Sequence, residues 1–143
     1  MATPPSSPSS LDRTLSRVGD RWTLLIVEAL LGGPQRFADI QGAVPGIATN
    51  VLSARLKHLE AEGLVLAHPY STRPVRYAYD LTHAGQGLAD AVRVLTQWGA
   101  DHGAAGESEV PVHAPCGSAL RARWWCPTCE EVADVDDEAP VWM

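Results

Sequence analysis

Four side chains near the C-terminus have the types and spacing to hold a metal ion. His113 and Cys116 are separated by two residues, Cys126 and Cys129 likewise, and nine residues lie between the two pairs. One imidazole and three thiolates are the donors that a closed tetrahedral zinc site requires. With every position filled by protein, the predicted role is structural, since hydrolysis needs an open position for water. Three cysteines within fourteen residues of a chain read as cytoplasmic are poorly explained as disulfides. Two alternatives stay open: a Cys126-Pro-Thr-Cys129 redox pair with an unrelated histidine, and His102 in place of His113 as the fourth ligand. The loop between the pairs carries Arg121, Arg123, Trp124 and Trp125, and an acidic flank, EEVADVDDE, follows. That flank argues against DNA as the tail's partner. The tryptophans are expected to pack the tail onto the rest of the molecule, because so small a module has little core of its own.

A second set of residues has hydrogen-bonding chemistry. In PGIATNVLSARLKHLEAEGLV, Leu52, Leu56 and Leu59 recur at i, i+4 and i+7. Thr49, Asn50, Ser53 and Lys57 lie on the opposite face, with no acid before Glu60. A helix with one dry face and one face of short polar groups suits the major groove of DNA. Thr49, Asn50 and Ser53 are expected at base edges and Lys57 on phosphate. Arg55 has two open roles, a phosphate contact or an ion pair with an acid such as Asp39. Arg36 is a further phosphate candidate.

These residues need elements to position them. Residues 1–9 are rich in proline and serine and are expected to be disordered. Leu11, Leu15 and Val18 mark a short helix that Gly19 ends. Trp22, Leu25, Ile26 and Ala29 mark one face of a second, which stops at Gly32-Gly33-Pro34. Phe37 to Ala43 forms a third, and Pro45-Gly46 turns the chain into the helix described above, which Gly63 ends. Two short helices about such a turn make a helix-turn-helix. Leu64 to His68 and Tyr77 to Leu81 then read as two strands around a tip, Pro69 to Pro74. This hairpin is a wing, and Arg73 and Arg76 would bring its end to phosphate or minor groove. Thr82 caps one last long helix. Leu88, Val92, Leu95 and Trp98 are expected to meet a second subunit.

The fold class is therefore mainly α with a β-hairpin wing, an α+β winged helix-turn-helix, plus a small zinc-ribbon-like module. The predicted divisions are residues 10–102 for the DNA-binding and dimerisation domain, 103–112 for a linker and 113–143 for the tail. The net charge of −6 does not oppose DNA binding once it is split. Residues 1–106 hold nine Lys/Arg and nine Asp/Glu, whereas 107–143 hold two and eight, so the deficit lies in the tail. Neither a secretion signal nor a stretch long enough to span a membrane is evident, and a cytoplasmic protein is expected.

The chain resembles the HxlR-type winged-helix transcriptional regulators of bacteria. VGDRWTLLIVEALLGGPQRFADI, PGIATNVLSARLKHLEAEGLV, VRYAYDLTHAGQGL and LTQWGADH follow the family's order and spacing over residues 9 to 102. The resemblance implies a homodimer through the first and last helices, with Leu11 and Leu15 of the first at the interface, bound to a pseudo-palindromic operator in double-stranded DNA, as repressor or activator. Two departures stand out. Many members carry a sensing cysteine before the first helix, where this chain has Ser9, and its first 115 residues hold no cysteine. Ala48 also replaces a frequent serine, so Thr49 is expected to take over the helix cap. A small-molecule effector would find its pocket near Trp22 and Trp98. The competing reading is a protein-interaction module that uses the winged helix and the ribbon for docking. An enzyme, for instance a thiol oxidoreductase, lacks any paired acid and base or phosphate loop and is not expected.

Overall fold

The computed structural model describes residues 7–103 and 111–133. Of the residues 1–9 expected to be disordered the first six lie outside the described residues, as do most of the linker and the acidic end of the tail, whereas Ser9 is placed as a helix cap. The chain divides into two compact units, Met1–Val92 and Arg93–Met143.

Side-chain caps set the first helices. The Ser9 hydroxyl accepts from the amide of Asp12 and starts α1, Ser10–Val18. At Gly19 the helix ends, and a Cβ there would meet the Leu15 carbonyl oxygen at 2.4 Å, so glycine is required. Asp20 then caps α2, Arg21–Leu30, accepting from the amides of Trp22 and Thr23. The Thr23 hydroxyl also donates to Asp20, which allows a polar residue to be wholly buried. Hence the buried stripe of α2 is Thr23, Ile26, Val27 and Leu30. The expected face is turned by about a residue: Ile26 is in the core, whereas Trp22, Leu25 and Ala29 pack against it only in part.

Strand β1, Gln35–Arg36, was not expected, because two residues carry no alternation to read. Helices α3, Phe37–Ala43, and α4, Thr49–Ala61, follow. The wing strands are longer than expected: β2 runs Val65–Thr72 and β3 runs Val75–Leu81, leaving only Arg73 and Pro74 at the tip. Pro69 lies inside β2, tolerated because the strand order β1-β3-β2 puts β2 at an edge and a register shift follows between Pro69 and Ser71. Gln35 pairs with Tyr79 and Arg36 with Ala78, so the sheet has three antiparallel strands rather than two.

The Thr82 hydroxyl accepts from the amide of Gly85, as its cap role requires, but the helix it starts is short. It is α5, His83–Gln86, and α6, Ala89–Asp101, comes after it instead of one continuous helix. At Gly85 the backbone passes so close to Leu64 that a Cβ would meet the Leu64 oxygen at 2.1 Å. The core of this unit joins Ile26, Leu30, Ile40, Val44, Leu52, Leu56, Leu59 and Val65. Val92 belongs to it, and Leu88 packs against it. Of the residues expected at a subunit face, Val92 is therefore buried within its own domain and Leu88 is partly buried against it. Leu11, Leu15, Leu95 and Trp98 are exposed at 65%, 52%, 56% and 62%.

In the tail, β4, Trp124–Cys126, pairs with β5, Glu131–Ala133, as an antiparallel hairpin, and an isolated bridge joins Val112 to Ala119. Among residues 111–133 no side chain is buried.

Candidate nucleic-acid interface

The helix-turn-helix is built around three leucines. Leu52, Leu56 and Leu59 are wholly buried, and Ile47 anchors the turn behind Gly46, whose φ of +80° only glycine adopts without strain. Ala48 stands at the N-cap with no side-chain bond. The expectation that Thr49 becomes the cap is corrected: Thr49 is the first helical residue, and its hydroxyl accepts instead from Gln41 Nε2 at 2.9 Å.

With the leucines facing inward, the flank of α4 next to them is set by geometry. At about 100° per residue, Thr49, Asn50, Ser53 and Lys57 fall within an arc of roughly 100°. Thr49, Asn50 and Lys57 are exposed and Ser53 partly so. Arg55 lies on the far flank, beside the leucines. Its Nε is 3.3 Å from Asp20 Oδ1, so of its two open roles the observed one is an ion pair. The partner is the cap of α2, not Asp39, whose carboxylate accepts from the Arg36 amide at 3.2 Å. Burial opposes the charge on Asp20, but hydrogen bonds from Thr23 and the Arg55 guanidinium hold its carboxyl below the ordinary value of 3.8.

Arg36 is exposed at the start of α3, and its guanidinium lies 4.8 Å from the centre of the Tyr70 ring. This cation–π contact ties α3 to the wing. Arg73 and Arg76 are exposed at the wing's end. At the far end of α4, His58 Nε2 is 2.8 Å from the Arg17 carbonyl and Glu62 pairs with the Arg17 side chain, fastening α1 to the recognition helix. Asp20, Gln41, His58 and Tyr70 were missed by sequence reasoning. Each acts on a residue distant in the chain, which no periodicity reveals.

The tail presents its candidate ligands as two couples. His113 Nδ1 is 3.2 Å from Cys116 Sγ, in a tight turn where the amides of Cys116 and Gly117 both donate to the His113 carbonyl. Cys126 closes β4, and the amides of Cys129 and Thr128 donate to its sulfur, which lowers its thiol pKa; the Ser118 hydroxyl and amide do the same for Cys116. Hydrogen bonding to Cys126, together with its charge, raises that of Cys129. All three cysteines are free. Among the described residues no three His, Cys, Asp or Glu side chains gather at one point, so the structure brings the ligands together in pairs and not as four. Trp124 and Trp125 are 65% and 59% exposed, and Arg121 pairs with Asp101 at 3.6 Å.

The family model described as HxlR-like helix-turn-helix matches residues 17–107. The chain belongs to that family. An HTH-type transcriptional regulator of Mycobacterium tuberculosis is 39% identical over 125 residues, covering 85% of this chain and 78% of its own. Among solved structures, the redox regulator HypR in its reduced form matches 66% of this chain and 93% of its own, with a TM-score of 0.62 and 29% identity. PA1607, described as a candidate transcription factor, matches with a TM-score of 0.75 and 27% identity over 95% of this chain and 96% of its own. That likeness extends well beyond the residues of the HxlR-like model and takes in the tail. The chain is thus a transcriptional regulator of the helix-turn-helix type, the class of protein its relatives are named for. No helix among the described residues is long and apolar enough to cross a membrane.

Proposed function

We propose that this HxlR-like chain acts as a homodimer on a pseudo-palindromic operator in double-stranded DNA. The observation that carries the reading is the exposed polar arc of α4 that flanks three buried leucines. Thr49, Asn50 and Ser53 read base edges. Lys57, Arg36, Arg73 and Arg76 neutralise phosphates, and Arg55 serves through Asp20 by fixing α4 against α2. The exposed Leu11, Leu15, Leu95 and Trp98 supply the apolar surface for a partner subunit. A small-molecule effector would act on such a dimer by changing the spacing of its two recognition helices.

The tail, in this reading, holds one structural zinc ion through His113, Cys116, Cys126 and Cys129. The donor types support it, as do the backbone amides aimed at the Cys126 sulfur, which favour a thiolate. A stretch with no buried side chain cannot be folded by hydrophobic burial, so its hairpins need another source of stability.

Asn50→Ala tests the base-reading face. An amide paired with a base is worth about 1–3 kcal/mol of discrimination, so operator affinity is expected to fall roughly tenfold or more while affinity for random duplex stays unchanged. Equal losses on both DNAs, measured at one salt concentration, would refute the role of this face.

A further inference from the structure

The Thr49 hydroxyl has one hydrogen-bond partner among the described residues, the side-chain amide of Gln41 in the last turn of α3. The contact, 2.9 Å from Nε2 to Oγ1, bridges the Pro45-Gly46 turn and lies at the surface, beside Asn50. A hydroxyl has one proton and two lone pairs, and it can rotate to donate or to accept. For that reason a threonine on a recognition helix is an ambiguous reader of bases. Here the amide N–H occupies a lone pair of Thr49. The hydroxyl proton must then point away from Gln41, one lone pair is left in place of two, and the accepted bond polarises the O–H, so the open side of Thr49 favours donation.

We propose that Gln41 is a specificity-determining residue, which orients the Thr49 hydroxyl so that it donates to a keto edge of a base. The favoured partners are guanine O6 and thymine O4, and the amino groups of cytosine and adenine are disfavoured, at one position in each half-site. The proposal rests on the reading of α4 as the base-reading helix. It adds a residue from outside that helix and the polarity of the hydrogen bond.

Selection from randomised half-sites, with the full zinc-loaded chain, tests it in four proteins. Thr49→Ala marks the position that the hydroxyl reads. Gln41→Met keeps the length of the side chain without the amide, and is expected to weaken the keto preference at that position about three- to tenfold, the worth of one hydrogen bond. Other positions stay as in the wild type. Gln41→Glu reverses the polarity, because its carboxylate accepts the Thr49 proton and leaves the oxygen to accept from an amino group. The expected preference moves to adenine or cytosine there, with a lower affinity for all DNA from the added negative charge. A Gln41→Met protein that keeps the full keto preference, or loses affinity alike on every sequence, overturns the proposal. A wild-type protein that selects no sequence overturns the base-reading function itself and this inference with it.

Discussion

Asp20 shows how much one side chain can organise. It caps α2, buries the Thr23 hydroxyl in the core and pairs with Arg55 of the recognition helix. The position of α4 therefore depends on a carboxylate two helices away. Because its folded pKa lies below 3.8, its stabilising effect is complete above that value and disappears as the pH falls through the folded pKa. Asp20→Asn should be less stable than the wild type at neutral pH, and the difference should shrink below about pH 4, near the ordinary carboxylate value. Urea unfolding across that range checks it; a difference that does not change with pH would mean that the charge on Asp20 contributes nothing. Residues of this kind are the ones hidden from the sequence. Thr23 looks like an interruption of an apolar face until its partner is known, and Arg55 looks like a second Lys57 until its place on the helix is counted.

The elements with strong local signals were legible. The leucine spacing of α4, the Pro45-Gly46 turn and the Thr82 cap all appear in the structure as the sequence leads one to expect. Elements fixed by contact at a distance were not. Strand β1 exists because Gln35 and Arg36 meet Tyr79 and Ala78, and β2 continues through Pro69 because its outer edge is unpaired. The placement of α5 has the same origin. The Thr82 hydroxyl donates to the Gly63 carbonyl at 2.7 Å and the Thr82 amide to the Leu64 carbonyl at 3.0 Å, which press α5 onto the base of the wing. Gly85 is the only residue type this approach admits. Gly85→Ala should cost about 1–3 kcal/mol, as overpacking does, because the atom it strikes is backbone and cannot turn aside. Thermal unfolding would show it, and a melting temperature equal to the wild type's would mean that α5 can lift away from Leu64 without loss.

For the molecule as a whole, hydrophobic burial is unevenly divided. The winged helix has a continuous apolar core, whereas the described tail has none. The tail's hairpins place two ligand couples, and the zinc reading requires one ion to join them. Metal analysis of the purified chain is expected to give one zinc per chain, and chelation should remove amide-exchange protection from residues 111–133 while the winged helix keeps its own. Protection of the tail that survives chelation would refute a structural zinc.

Charge is divided along the same line, with the acidic excess in residues 107–143 and a balanced remainder. In the proposed dimer, DNA affinity would then come from placed contacts, doubled by symmetry, rather than from a general positive field. Enrichment of duplex fragments by the zinc-loaded protein at fixed salt tests that claim most directly. The account predicts a pseudo-palindrome whose half-sites lie about one helical turn, 10 base pairs, apart. Enrichment of no common sequence by intact, metal-loaded dimers would contradict it.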